Sequence, residues 1–298
     1  MKVNTSSESL ITATIHAICD RSLARGGFAV LSGGTYRSDA TAWAILALEA
    51  CQVERSLTQT ACNRLTESQL SDGRVPVISD DPTSFWPTPL AMLAWKKVSG
   101  FESELKLSAD FLLGITGYHS PRKEGSPMGH DTSIRGWPWI ENTHSWIEPT
   151  SLSVLALNAC GYGKHERVME AVNMLLDRQL PGGGWNYGNT TVFGKKLRPI
   201  PESTGHALCA LAGSTEPDDV SASINYLNRE AGRIRTPLAL SWSIFGLSAW
   251  SNRPSQMHDW ILQSLALQKK YGYYDTALLS QLIVCYFTSG NFSDLFFN

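Results

Sequence analysis

The sequence predicts an all-α (α/α)6 toroid, a double-layered helical barrel of six helix-hairpin repeats, on three observations. Glycine-centred turns recur six times, at Gly26-Gly27-Phe28, Gly73-Arg74-Val75, Gly136-Trp137-Pro138-Trp139, Gly183-Gly184-Trp185, Gly232-Arg233-Ile234 and Gly272-Tyr273-Tyr274. Each turn separates an amphipathic stretch from one that is apolar all round. The last copy ends in IVCYFTSGNFSDLFFN, which is aromatic instead of polar. An open solenoid needs a polar capping repeat at its end, so an aromatic end predicts closure against the first copy.

The first helix of each copy belongs outside. ESLITATIHAICDRSL opens the series, and RVMEAVNMLLDRQL and MHDWILQSLALQKK repeat its amphipathic pattern, with Arg, Lys, Glu and Asp on one face. The second helices belong inside, because a helix without a polar face is buried on all sides or lines a cavity. They begin at Asp39-Ala40-Thr41-Ala42, Trp86-Pro87-Thr88-Pro89, Ile147-Glu148-Pro149-Thr150, Pro201-Glu202-Ser203-Thr204, a degenerate Thr236-Pro237-Leu238-Ala239, and Tyr274-Asp275-Thr276-Ala277. Thr, Asp and Ser beside Pro are helix-start chemistry: their oxygens accept from free backbone N–H groups, and Pro has no N–H to leave unpaired. The longest insertion, GYHSPRKEGSPMGHDTSIRGWPWIENTHSWIEPT, sits in the third copy, and a basic loop carrying Lys195, Lys196 and Arg198 precedes the fourth inner helix.

The repeat runs without a linker, so residues 1–298 read as one domain. A hydrophobic content of 43% suffices for a large core, and a net charge of −2 gives no footprint for nucleic acid. Six scattered cysteines without a Cys-x-x-Cys pair read as reduced core residues. Neither a signal peptide nor a run of roughly 18 apolar residues is evident, and the expectation is a cytoplasmic protein without a transmembrane segment. No cofactor and no metal site is expected.

Gln179-Leu180-Pro181-Gly182-Gly183-Gly184-Trp185, with weaker forms at Gln69–Gly73 and Gln268–Gly272, resembles the glutamine-to-tryptophan repeat of the squalene-cyclase and prenyltransferase superfamily of α/α toroids. The resemblance implies that Gln and Trp tie an outer-helix end to the turn. Protonating cyclases of that superfamily carry Asp-x-Asp-Asp-Thr-Ala; the matching positions, around Asp39 and Asp275, each retain one aspartate, while Asp80 and Asp81 lie in a loop. The zinc-binding Asp-x-Cys of prenyltransferase β-subunits is absent.

In a closed ring the inner-helix starts share one mouth. That gathers Asp39, Glu148, Glu202 and Asp275 as candidate acids and bases, with His206 one turn below Glu202 on the same helical face. Burial raises a carboxyl pKa and prepares a general acid, whereas capping and core packing are the plain alternative roles. Trp86, Trp139, Trp146, Trp242 and Tyr274 are candidate substrate-binding rings, and Trp185 is either a lining ring or part of its turn. Lys195, Lys196 and Arg198 are either diphosphate ligands or surface charge. His130, Asp131 and His144 share the long insertion but form no metal motif.

The leading expectation is a terpene-cyclase-like enzyme, an isomerase or lyase, holding an isoprenoid-like substrate in the central cavity. The alternatives are a non-catalytic lipid-binding or scaffold toroid and a glycan-active toroid, the last expected to show an open mouth with exposed aromatic rings and a carboxylate pair.

Overall fold

A computed structural model describes residues 5–121 and 128–296; residues 1–4, 297–298 and the 122–127 part of the long insertion lie outside the described residues. The outer layer is α1 (Thr5–Cys19), α3 (Arg55–Ser68), α5 (Glu102–Gly114), α7 (Glu166–Asp177), α9 (Pro217–Ala231) and α11 (Met257–Ala266). The inner layer is α2 (Ser38–Cys51), α4 (Thr88–Val98), α6 (Ile147–Ala159), α8 (Pro201–Leu211), α10 (Pro237–Ser248) and α13 (Thr276–Phe287). A short α12 (Gln268–Tyr271) continues α11, and a 3-10 turn spans Phe292–Leu295. The described strands are a two-stranded hairpin, β1 (Thr191–Val192) with β2 (Lys195–Lys196).

Each inner helix packs on the next, and α13 returns to α2, so the ring is closed. The seam joins the last inner helix to the first copy through Thr276 and Arg21. The Thr276 hydroxyl donates to the Ala29 carbonyl at 2.6 Å, its N–H donates to Val30 O at 2.9 Å, and Arg21 Nη2 donates to Tyr274 O at 2.9 Å.

The threonines at the inner-helix starts do more than the capping expected of them. Thr41, Thr88, Thr150 and Thr204 accept from the backbone N–H of Phe28, Val75, Trp137 and Trp185, at 2.9, 2.9, 2.8 and 3.0 Å. Each therefore fastens its inner helix to the preceding turn instead of capping its own first turn. Both partners are buried, where an unpaired N–H costs about 1–3 kcal/mol.

Three of the glycine turns, those of Gly26, Gly73 and Gly183, dock on the backbone of the next outer helix. Gly183 has φ of 87°, and a Cβ there would lie 2.3 Å from Ala222 O; Gly73, at φ of 98°, would meet Leu107 O at 2.1 Å. Only a residue without Cβ allows that approach. Gln179 Nε2 donates to Ser223 Oγ at 2.8 Å, and Trp185 Nε1 donates to Leu175 O at 2.7 Å, so both ends of this turn are tied to outer helices.

The barrel axis is filled. Helices α8 and α10 touch backbone to backbone, because a Cβ on Gly205 would lie 2.1 Å from Trp242 O and one on Gly246 would lie 2.8 Å from Gly205 Cα. Trp43, Trp242, Phe245 and Phe292 are buried and in mutual ring contact, with centroid separations of 5.2 to 6.1 Å. The aromatic tail closes against the first copy as expected, α13 packing on α2 and Phe292 on Trp43, and it is also a plug: Phe292 follows α13 and enters at the end where the inner helices finish. Where an isoprenoid chamber was expected, these rings occupy the axis, and a cavity of about 100 Å³ between Leu93, Leu155, Cys209 and Phe292 lies beyond them. No helix among the described residues is long and apolar enough to cross a membrane. All six cysteines are free thiols, and burial pushes Cys51 up to about 11 and Cys209 up to about 12.

Candidate active site

The first turns of the inner helices form the rim of the mouth, and they divide the candidate acids into two groups. Asp39 is held by Arg37 through two hydrogen bonds of 2.8 Å, Nε to Oδ1 and Nη2 to Oδ2. Asp275 caps α13, its Oδ1 accepting from Leu278 N–H at 2.8 Å. On the other side, Glu148 of α6 and Glu202 of α8 stand on neighbouring helices, with His206 of α8 beneath them.

Glu148 is the most perturbed carboxyl of the rim. Burial, with the nearby Glu202 charge adding to it, pushes its pKa up to about 7. Yet 31% of its side-chain surface remains open to water. A carboxyl that is largely desolvated but still reachable is protonated or ionised in comparable amounts near neutrality.

His206 is buried, and desolvation pulls its pKa down to about 3, so the ring is neutral. Its Nδ1 lies 2.9 Å from the Glu202 carbonyl oxygen, which can only accept. Nδ1 therefore carries the proton. Nε2 is the bare acceptor, buried with no hydrogen-bond partner, and it lies 3.8 Å from Glu148 Oε1. The imidazole is clamped from its other face by Trp242, at a centroid distance of 3.5 Å and an interplanar angle of 23°. Trp242 is thus placed in the core, 1% exposed, where it orients His206 and does not face the mouth.

The remaining rings lie on the turns and loops that precede the inner helices. Trp86 and Trp139 form an edge-on pair at 5.4 Å, both half-buried. Trp146, the residue before α6, stacks on His144 at 4.6 Å. Tyr187 and Phe193, on the loop before α8, are 53% and 86% exposed, and Tyr273 is 88% exposed. Tyr274 is half-buried, and its hydroxyl donates to Ser264 O at 2.9 Å. Trp185 is buried in its turn. Lys195 and Lys196 lie exposed in β2, and Arg198 is exposed beyond it.

Two features escape the sequence. Arg167 and Arg178 lie in and just after the amphipathic α7, where Arg reads as outer surface, but both are 4% exposed and reach under the rim loops to backbone carbonyls. His119 joins His130 and His144 around a second cavity with no local pattern to announce it. Among the described residues no three His, Cys, Asp or Glu side chains are grouped so as to hold a metal ion.

The fold is an all-α toroid in which Glu148 and Glu202 stand on the first turns of neighbouring inner helices, close enough for the Glu202 charge to act on Glu148. No known protein family's sequence profile matches the chain, and no curated protein matches it. Solved structures do match in fold. A glycosidase variant in complex with glucose is 9% identical, with a TM-score of 0.58 over 97% of this chain and 98% of that one. The wild-type glycosidase is 10% identical, with a TM-score of 0.57 over the same shares. A protein from Actinoplanes is 15% identical, with a TM-score of 0.60 over 95% of this chain and 99% of its own. At these identities the likeness is one of fold, and the all-α toroid is the shared property.

Proposed function

We propose that the chain is a glycan-active enzyme that cleaves a glycosidic bond at the mouth of the toroid, with Glu148 as general acid and Glu202 as the second carboxylate. The carrying observation is Glu148 itself: a carboxyl pushed up to about 7, open to water and beside the charge of Glu202. A carboxyl held protonated beside a second carboxyl is what glycoside hydrolysis uses, one to protonate the departing oxygen and one to act on the anomeric carbon or on water.

In the proposed step Glu148 gives its proton to the glycosidic oxygen as the carbon–oxygen bond breaks toward that oxygen. Glu202 stabilises the positive charge that develops on the sugar and assists the entering water, whose proton it takes. His206 acts as a positioning residue: its bare Nε2, fixed by the Glu202 carbonyl and Trp242, faces the Glu148 carboxyl and favours the protonated form there. Trp86, Trp139, Trp146 and Tyr187 supply apolar faces against which sugar rings stack. Fold neighbours that include glycosidases fit this reading. The cyclase reading is less well supported, because aromatic side chains fill the axis where an isoprenoid would lie.

The test is hydrolysis of a panel of aryl glycosides and oligosaccharides, read as released phenol or new reducing ends. Glu148→Gln and Glu202→Gln, each verified as folded by circular dichroism, are expected to lower the rate by roughly 10²–10⁴-fold. A wild-type chain that cleaves none of the panel, or a Glu148→Gln chain that cleaves as well as wild type, overturns the proposal.

A further inference from the structure

Behind Trp146, on the outer side of the rim, a separate chamber of about 260 Å³ lies between the long insertion and the loop before α8. It falls just below the ~300–1,000 Å³ of ordinary ligand pockets, a size for a small molecule. Its walls bring together Arg178, His119, His130, His144, Ser145 and Asn189, residues from three separate segments.

Arg178 is the unusual member. Its residue is 4% exposed, and its only hydrogen bonds among the described residues run from Nη1 to Gly188 O at 2.7 Å and to Ser145 O at 3.4 Å. Nε is buried without a partner, Nη2 makes no hydrogen bond, and no carboxylate forms a salt bridge with the group among the described residues. Arg167, the similarly buried arginine at the start of α7, differs: its two amino groups take three carbonyls, and its guanidinium lies 3.9 Å over the Trp137 ring. A buried cation is expensive to keep, and desolvation pulls Arg178 down to about 10 although the nearby Asp177 and Asp131 charges oppose that shift.

The other donors agree. His130 is 5% exposed with Nδ1 unpaired. Burial and the Arg178 charge lower His130, to about 4, and also lower His144, so each carries one N–H without adding a positive charge, while His119, lowered by burial and by the Arg167 and Arg178 charges, is tied to the Thr132 backbone and Ser145. Ser145 Oγ accepts from Gly136 N–H at 3.0 Å and lies 3.5 Å from His119 Nε2, so these two wall residues are partnered with each other.

We infer that this chamber binds the tetrahedral oxyanion of a small phosphate or sulfate ester, with Arg178 supplying the charge and His130, His144 and Asn189 supplying neutral donors around it. Donors that converge from three segments suit an anion with three free oxygens better than a planar carboxylate, and a charge-assisted bond to a guanidinium supplies most of the affinity. The site is distinct from the Glu148–Glu202 pair and does not depend on the hydrolase reading.

The experiment is titration of the full chain with inorganic phosphate, with sulfate and with acetate, followed by the imidazole resonances of the seven histidines and by calorimetry. Phosphate or sulfate is expected to shift His119, His130 and His144 while leaving His16 and His258 unchanged, with acetate at least 10-fold weaker. Arg178→Gln is expected to weaken binding at least 10-fold. Should that variant not fold, His130→Gln with His144→Gln is read in its place and is expected to weaken binding several-fold. Unmoved resonances in wild type, acetate binding as tightly as phosphate, or undiminished binding in the folded variant each overturn the inference.

Discussion

Glu148 differs from the other carboxyls of the rim in what surrounds it, not in its place in the repeat. Asp39 has Arg37 and Asp275 has a backbone N–H, whereas Glu148 has a second glutamate and a bare imidazole nitrogen. Its raised pKa fixes the sign of two pH effects. As a general acid it must be protonated, so hydrolysis is expected to fall as pH rises through about 7, a limb that Glu148→Gln removes together with the activity. For stability, a carboxyl whose folded pKa lies above its ordinary 4.5 favours the native state most below pH 4.5, and that contribution is lost as pH rises to about 7. His206 works the other way, because a histidine lowered from 6.5 to about 3 loses native stability as pH falls below 6.5. The two partly cancel in wild type, so the clean measurement is urea unfolding of Glu148→Gln against wild type at pH 5 and pH 8. The variant is expected to gain relative stability at the higher pH, by at most about 2 kcal/mol once solvent screening of an open carboxyl is allowed for. The existence of a candidate acid at position 148 was legible from the inner-helix register. Which of four equivalent carboxyls is left without a countercharge was not, because the neighbours that decide it come from other helices.

At the scale of the repeat element, a turn, its threonine and the next outer helix act as one joint. The turn glycine approaches the following helix, and the threonine fastens the turn to the inner helix. Gly183→Ala therefore meets both an unfavourable φ and the Ala222 carbonyl, and is expected to lower the unfolding free energy by more than about 2 kcal/mol. Gly213→Ala shares the positive φ of 76° but faces open space, and about 1 kcal/mol is expected. Comparing the two by chemical denaturation separates contact from conformation. Thr150→Val keeps the shape of the side chain but leaves the Trp137 N–H unpaired, for an expected loss of about 1–3 kcal/mol by the same measurement. The glycine and threonine registers were visible because they recur. Their partner atoms were not, since a threonine at a helix start is equally well read as a cap for its own helix. The α7 arginines illustrate the same limit: amphipathic periodicity assigns a face, and an insertion laid over that face then buries it.

The whole molecule is a ring whose centre is plugged by side chains. Phe292 closes the far end against Trp43, Trp242 and Phe245. Phe292→Ala is expected to cost about 3–5 kcal/mol in thermal or urea unfolding, and to open a cavity that a small apolar probe such as benzene or xenon enters. The same tight centre holds His206 against Trp242, so Gly246→Ala, which forces α8 from α10, is expected to move the His206 resonance as well as lower stability.

By itself the sequence determined the repeat, the layer each helix occupies, the closure of the ring and the rim as the place where polar chemistry gathers. These follow from local periodicity and from the rule that apolar faces must be covered, which any chain with this pattern obeys. Only the tertiary structure decided that the barrel is filled, that Asp39 takes Arg37 and Asp275 a backbone N–H while Glu148 faces a second glutamate and a bare imidazole nitrogen, and that Arg178 is buried at the wall of a chamber. Those outcomes depend on distances of a few ångströms between side chains far apart in the chain, and electrostatic and packing energies change most steeply over such distances.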